Sequence, residues 1–324
     1  MANSMITGGF GFIGRHLARM LLEKGDNVTI FDVVPGTPFL EDVMDKLTVK
    51  IGNLEDLVQV ASTVQENKID NIYHLGAILP PASEQNPSRT FATNVTGTFN
   101  VLEAARMFKV KNVLFTSTMV TYQKGDMFVP DDYPQRPETF YGMSKVCGER
   151  MGEVYWQKHG VNFRGVRYTI VNGPGRGGIA PGQIVVWTFQ AAAMGKPFKA
   201  FLEADTEMGT IYVKDAAKLL IDLKDADESK LTRRVYTLPS TMISPQRLID
   251  VAKKHVPGAD ISYKVNENMM NMVNSLNMAR RLDPSLAEQD WNAKLAYDLD
   301  ETMKDYIKQG KEFRNLLDYP IPEV

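Results

Sequence analysis

Tyr141 and Lys145 stand four residues apart in the stretch Tyr141-Gly142-Met143-Ser144-Lys145. On a helix, that spacing puts both side chains on one face, one turn apart. The chemistry such a pair offers is base catalysis. A phenol ionises near pH ~10, so it is a poor base at neutrality unless a cation stabilises the phenolate. A lysine one turn away does that, and it can also donate to a sugar hydroxyl. Taken alone, the pair is equally at home on an ordinary amphipathic helix. A second chemical group precedes it: the hydroxyl cluster Thr116-Ser117-Thr118, directly after the apolar run Val113-Leu114-Phe115. Moving a hydride to or from a carbinol carbon requires a base for the O–H and a donor for the developing oxyanion. A hydroxyl at the C-terminal end of a strand in an open parallel sheet is well placed to donate. By themselves, these hydroxyls read as a turn.

The elements that must position these groups follow from the first half of the chain. Met5-Ile6-Thr7 reads as a buried strand running into Gly8-Gly9-Phe10-Gly11-Phe12-Ile13-Gly14, and an amphipathic helix follows with Ile13, Leu17, Met20 and Leu21 on one side. Glycines at positions 8, 11 and 14 let backbone N–H groups approach a pyrophosphate, and the helix N-terminus favours its charge. The strand before and the helix and strand after supply the context a dinucleotide fingerprint requires. The second strand, Asn27-Val28-Thr29-Ile30-Phe31, ends in Asp32. That position, about 20 residues past the glycines, suits a carboxylate accepting from a ribose 2′-OH and repelling a 2′-phosphate. Val33-Val34-Pro35 offers no arginine in compensation, so NAD is expected rather than NADP. Strand alternates with crossover through residues 47–51 and 71–75. Asn53 and Leu54 fall where an adenine ring would land, and Gly76-Ala77 lets a cofactor lie against the backbone. One long helix is expected over residues 87–108, with Phe91, Val95, Phe99, Leu102 and Ala105 on its apolar face. Asn94, in mid-helix, is either structural or merely exposed. The catalytic helix is expected over residues 137–159. The pattern predicts an α/β fold with a doubly wound parallel sheet.

Composition sets the outer bounds. Hydrophobic residues make up 44% and charged residues 23% of the 324 residues, and the formal charge is −2. These values are those of a globular protein with no electrostatic case for nucleic acid or an anionic membrane. Cys147 is the single cysteine, which excludes an internal disulfide. The four histidines lack ligand spacing, so no metal is expected. His74 reads as a packed strand residue. The N-terminus lacks a signal peptide's pattern and no apolar run is long enough to span a bilayer. The expected setting is cytoplasmic.

Jointly, Thr7 to Gly14, Asp32, His74-Leu75-Gly76-Ala77, Asn94, Thr116-Ser117-Thr118, Tyr141 to Lys145 and Arg167-Tyr168 resemble the short-chain dehydrogenase/reductase superfamily, in its extended NAD-dependent epimerase/dehydratase branch. The resemblance implies a Rossmann-type sheet with a smaller, discontinuous C-terminal lobe closing over the substrate. It implies that Tyr141 is the general base and that Lys145 lowers its pKa and holds the nicotinamide ribose. Thr118 then takes the catalytic Ser/Thr position, with Ser117 beside it in the substrate pocket. Implied cofactor contacts are Gly8, Gly11, Phe12, Ile13, Gly14, Asp32, Asn53, Leu54, Leu75, Gly76, Ala77, Asn94, Thr116, Tyr141, Lys145, Tyr168 and Ile170. A homodimer through the two long helices is also implied. Residues 149–155, 160–168, 192–197 and 211–215 are similar to short-chain-type L-threonine 3-dehydrogenases. Those enzymes carry a glycine- and threonine-rich segment where this chain has Pro181-Gly182-Gln183-Ile184-Val185-Val186-Trp187. The apolar replacement is expected to touch substrate.

In the second half, the loop Gly173-Pro174-Gly175-Arg176-Gly177-Gly178 offers Arg176 either to a substrate carboxylate or to solvent. A helix is expected over residues 182–194, another opening at Asp215, a strand over 235–238 rejoining the main sheet, and a helix capped by Ser244 ahead of Pro245. The Met- and Asn-rich residues 266–278 are expected to pack adaptably, and a last helix covers 299–309. A cofactor domain of residues 1–175, joined by roughly 205–240, and a substrate lobe of 176–204 and 241–324 are expected. Two activities compete. One is an NAD-dependent dehydrogenase of a small polar alcohol resembling a β-hydroxy amino acid or hydroxy acid. The other is a nucleotide-sugar epimerase or dehydratase with transiently reduced NAD. Against the second, family members commonly place an arginine seven residues before the aspartate matching Asp215, and Met208 stands there instead. A sensor without catalysis is a third possibility, countered by the complete Thr/Tyr/Lys set.

Overall fold

In the computed structural model, which describes residues 1–177, 181–276 and 278–312, the chain is organised on a parallel sheet. Its strands are β1 (Asn3–Thr7), β2 (Asn27–Asp32), β3 (Leu47–Ile51), β4 (Asn71–His74), β5 (Asn112–Thr118), β6 (Phe163–Tyr168) and, from further along the chain, Val235–Thr237. The order across the sheet is Val235–Thr237, β6, β5, β4, β1, β2, β3, and every pairing is parallel. The order reverses direction between β1 and β4, the place where open α/β sheets bind their ligands.

Parallel strands covered on both faces need apolar residues on both sides. Met5 and Ile6 of β1, Ile72 and Tyr73 of β4 and Leu114 of β5 are fully buried. The helices α1 (Phe12–Glu23), α2 (Leu57–Glu66), α3 (Gly97–Met107) and α4 (Phe140–His159) supply crossovers. Four of the turns that enter strands use left-handed backbone: Gly25 before β2, Lys68 before β4, Lys109 before β5 and Gly160 before β6. All lie at the N-terminal rim of the sheet.

The expected helix over 87–108 is not continuous. It divides into a short helix at Pro87–Thr90, a π-helical turn at Phe91–Thr96, and α3. The extra residue in the π turn rotates the register, so Phe91 and Phe99 are exposed while Leu102 and Ala105 are buried. The expected single apolar face is therefore corrected. Such turns recur at functional sites, and here the turn carries Asn94. Helix α4, which carries Tyr141 and Lys145, starts at Phe140 rather than 137, because Thr139 caps it by accepting from the Gly142 N–H at 3.0 Å.

Beyond the main sheet, Ile170–Asn172, Met208–Tyr212 and Thr241–Ile243 form a small three-stranded sheet. The helix Gln183–Met194 is buried along nearly its whole length. Its Ile184, Val185, Val186 and Trp187 pack into the core, Trp187 edge-on against Phe201 at 5.4 Å. Of the stretch expected to touch substrate, only Gln183 reaches the cavity described below. The apolar side chains serve packing. The remaining helices are Val213–Asp225, Pro245–His255 with Ser244 accepting from the Arg247 N–H, Glu267–Ser275, and Leu299–Glu312. Expectations falling on Gly178, Asn277 and residues 313–324 lie outside the described residues. No helix among the described residues is long and apolar enough to cross a membrane.

Candidate active site

A cavity of about 930 Å³ opens at the C-terminal rim of the sheet. At one end lies the glycine turn. Gly8 has φ +67°, and a Cβ there would stand 2.8 Å from the Gly76 Cα; at Gly14 a Cβ would stand 2.5 Å from the Gly8 carbonyl oxygen. The turn folds on itself only because these positions are bare. Helix α1 then begins at Phe12 with Gly11 as its cap, without a side-chain hydrogen bond and without an acidic residue in its first turn. An uncapped helix start lined by Gly11, Phe12 and Ile13 suits an anionic group. Beside the turn, Asp32 Oδ2 accepts from the Phe10 N–H at 3.0 Å and Oδ1 from the Val33 N–H at 2.7 Å. This ties the glycine turn to the end of β2 and leaves carboxylate lone pairs for a ribose diol. A dinucleotide with its pyrophosphate on α1 and its adenosine ribose on Asp32 fits this donor set.

Asn53, Leu54, Leu75, Gly76, Ala77, Thr116, Tyr168 and Ile170 line the same cavity. Asn94 does not. It is buried, its Oδ1 accepting from the Ile78 N–H at 2.7 Å and its Nδ2 donating to the Ile78 carbonyl at 3.0 Å and to Ser144 Oγ at 3.1 Å. Its amide thus joins the loop after β4, the π turn and α4. His74 is buried between the hydroxyls of Thr7 and Thr98, and burial pushes it down to about 3, so it is neutral at physiological pH.

At the other end, β5 and α4 bring the reactive groups together. Tyr141, Lys145, Thr118 and Ser117 all line the cavity. Thr118 Oγ1 accepts from the Val120 N–H at 3.4 Å, so its own proton is available to a substrate oxygen. Lys145 is 4% exposed, its Nζ 4.8 Å from the Phe115 ring centre and 5.7 Å from that of Tyr141. Burial pushes the ammonium down to about 7, against the opposing pull of Glu149 one turn away. Burial also raises the Tyr141 phenol above its ordinary range, and the charge that lowers it is the guanidinium of Arg176. The cation acting on the phenol is therefore Arg176.

Several residues at this end escape a sequence reading. Glu149, fully buried, accepts from Ser117 Oγ, from Gln135 Nε2 at 2.8 Å, and from Arg167 Nη2 at 2.7 Å. Burial pushes its carboxyl up, but the Arg167 charge and these donors outweigh that and hold it below its usual range. Ser117 thus points its proton at Glu149. Glu84, in the short helix Ala82–Gln85 after β4, accepts from the Phe140 and Tyr141 N–H groups at 3.0 and 3.1 Å, anchoring the first turn of α4. The signal for both was only that each is a carboxylate near a motif. Leu276 and Met278, from the Met-rich stretch, reach the cavity from the far side. Among the described residues, no cluster of His, Cys, Asp or Glu could hold a metal.

Comparison with known proteins agrees with this geometry. A bovine (Bos taurus) protein, mitochondrial L-threonine 3-dehydrogenase, is 29% identical over 324 residues, covering 96% of this chain and 83% of the bovine one. An uncharacterised epimerase/dehydratase of Staphylococcus haemolyticus is 30% identical over 318 residues, covering 92% and 94% of the two chains. Among solved structures, a holo L-threonine dehydrogenase from Cupriavidus necator superimposes with a TM-score of 0.85 at 28% identity, over 95% of this chain and 99% of that one. The model of the NAD dependent epimerase/dehydratase family matches residues 4–257. The chain belongs to that family of Rossmann-type enzymes, whose cofactor is NAD.

Proposed function

We propose that the protein is an NAD-dependent dehydrogenase that interconverts a small polar secondary alcohol, of the β-hydroxy amino acid or hydroxy acid kind, and its ketone. The observation that carries this reading is the convergence of Tyr141, Lys145 and Thr118 on the cavity that also contains the glycine turn and Asp32. The relatives named as L-threonine 3-dehydrogenases support the substrate class. The residues proposed to hold NAD are Gly8, Gly11, Phe12, Ile13 and Gly14 at the pyrophosphate, Asp32 at the ribose, Asn53 and Leu54 at the adenine, and Leu75, Gly76, Ala77, Thr116, Tyr168 and Ile170 along the cavity floor. Bound NAD supplies a two-electron hydride acceptor.

The chain's own residues do the proton work. Tyr141 as phenolate takes the hydroxyl proton. Thr118 donates to the same oxygen as it becomes an alkoxide and then a carbonyl. Lys145 and Arg176 supply positive charge beside the phenolate, and the buried site keeps these charges effective by excluding water. We also propose that residues 176–204 and 241–312 form a substrate lobe. The enzyme is proposed to be a homodimer, a reading supported by exposed Phe91 and Phe99 on one long helical segment and exposed Val154 and Trp156 on α4.

The test is the absorbance of reduced nicotinamide when protein and NAD meet small hydroxy and β-hydroxy amino acids, L-threonine included, or UDP-, GDP- and dTDP-sugars. Net NADH with a small alcohol is the expected result. A converted nucleotide sugar without net NADH would replace the dehydrogenase by an epimerase or dehydratase. Met208, fully buried in its strand, lies away from the cavity and offers no charge to a diphosphate.

A further inference from the structure

Arg176 differs from the buried arginines of the fold: it is half-buried, with one guanidinium nitrogen sealed from water. Arg164 and Arg234 pair with Glu228, and Arg167 pairs with Glu149. Arg15 and Arg280 donate to backbone carbonyls of Pro174 and of Gln123 and Met119. Arg176 lines the cavity, its Nη1 is sealed from water, and that nitrogen has no hydrogen-bond partner among the described residues. The groups that act on its charge are the phenols of Tyr306 and Tyr141, neither of them a carboxylate. Thr169 Oγ1, which lines the same cavity, is likewise buried without a partner among the described residues. The backbone of Arg176 is fixed, its N–H donating to the Gly173 carbonyl at 3.3 Å and its carbonyl accepting from Gln183 Nε2 at 3.1 Å.

A guanidinium nitrogen sealed from water is costly unless an anion or a good acceptor compensates it. The fold fixes the backbone of this residue and, among the described residues, supplies no carboxylate for its side chain. What enters the cavity can bring that partner. We propose that Arg176, together with Thr169 of the same cavity, receives the carboxylate of a small hydroxy acid or β-hydroxy amino acid and so makes the enzyme selective for anionic alcohols over their neutral counterparts. The proposal rests on the dehydrogenase reading above. A carboxylate fits better than a diphosphate because Arg176 lies close enough to Tyr141 for each to affect the other's ionisation. In a small hydroxy acid, the anionic group is one or two carbons from the reacting hydroxyl. In a nucleotide sugar, a whole ring separates the diphosphate from the reacting carbon.

The experiment compares kcat/KM for matched pairs, 3-hydroxybutyrate against 3-hydroxybutyramide and L-threonine against L-threoninamide, in the wild type, Arg176→Gln and Arg176→Lys. NAD affinity and melting temperature are measured on the same samples. Tyr141 acts on both members of a pair, so any change in its ionisation cancels in their ratio. Arg176→Gln is expected to lower the acid-to-amide ratio about 10- to 100-fold, the range of a charge-assisted hydrogen bond. Arg176→Lys is expected to restore part of it, with NAD affinity unchanged throughout. An equal loss on acid and amide would overturn the proposal by showing a structural role. Weakened NAD binding would overturn it by assigning Arg176 to the cofactor. A wild type that oxidises acids and amides equally well would overturn it and leave the dehydrogenase standing. Turnover of UDP-glucose alone would remove both.

Discussion

Lys145 and Glu149 occupy successive turns of one helix, and the buried carboxylate of Glu149 is the group that sustains the charge on the buried lysine. Burial still wins, so Lys145 loses its proton near pH 7, far below an exposed lysine. Between about 7 and 10.5 the unfolded chain binds a proton at this position that the folded chain does not. Stability must therefore rise with pH across that window, and the full penalty of burying the ammonium is felt below it. Lys145→Met is expected to raise the melting temperature at pH 6, with the gain over wild type shrinking toward pH 10. Thermal denaturation of both proteins across pH 6–10 checks this, and a gain that does not vary with pH would contradict it.

Removal of the proposed base is expected to stop chemistry without disturbing the cofactor. Tyr141→Phe keeps the ring and deletes the hydroxyl, so kcat should fall by about 10²- to 10⁴-fold. NAD affinity, read by fluorescence quenching or calorimetry, should stay within about twofold because the glycine turn and Asp32 are untouched. Full activity in this variant would remove Tyr141 from the mechanism.

Glu84 acts on the same tyrosine from behind. Its carboxylate serves two N–H groups that would otherwise lack partners in the first turn of α4, and its charge suits the positive end of that helix. Glu84→Ala should cost about 1 kcal/mol of stability, the usual value of a helix cap. It should also lower kcat, with KM little changed, because Tyr141 is the second residue of the helix. A loss of stability with kcat unaltered would confine Glu84 to a structural role.

Asp32 is proposed to set which dinucleotide is accepted. Asp32→Ser removes the carboxylate facing the ribose and the acceptor of the Phe10 N–H. NAD affinity should drop about tenfold, and the preference for NAD over NADP should narrow as a repelling charge disappears. An unchanged ratio of NAD to NADP affinities would mean that discrimination lies elsewhere.

What the sequence disclosed and what it concealed differ by the reach of the contacts. The glycine turn, Asp32 and the Tyr141–Lys145 pair are each defined by neighbours within one strand, turn or helix, so periodicity and spacing suffice to place them. Glu149 was hidden because its partner Ser117 lies 32 residues away. The bond from Asn94 to Ser144 spans 50 residues and left no local signal. The π turn left no trace in composition, since one inserted residue shifts a helix face without altering residue types. The stretch after Pro181 misled in another way. Apolar bulk beside a site suggests a wall of that site, yet Ile184 to Trp187 pack into the core, Trp187 against Phe198 and Phe201 just beyond the same helix.

The left-handed turns at Gly25, Lys68, Lys109 and Gly160 bear on how this molecule can change. They sit on the rim opposite the cavity, where the chain is turned back toward the next strand. Two of the four positions hold lysine, at φ 48° and 54°, conformations that a residue with a Cβ adopts only at some cost. One rim of the sheet therefore carries conformational debt and the other carries the chemistry, with the length of each strand between them. Robustness and specificity are mutable separately: glycine or asparagine at 68 and 109 can firm the scaffold, while the loops at the opposite rim stay free to be reshaped for a different alcohol.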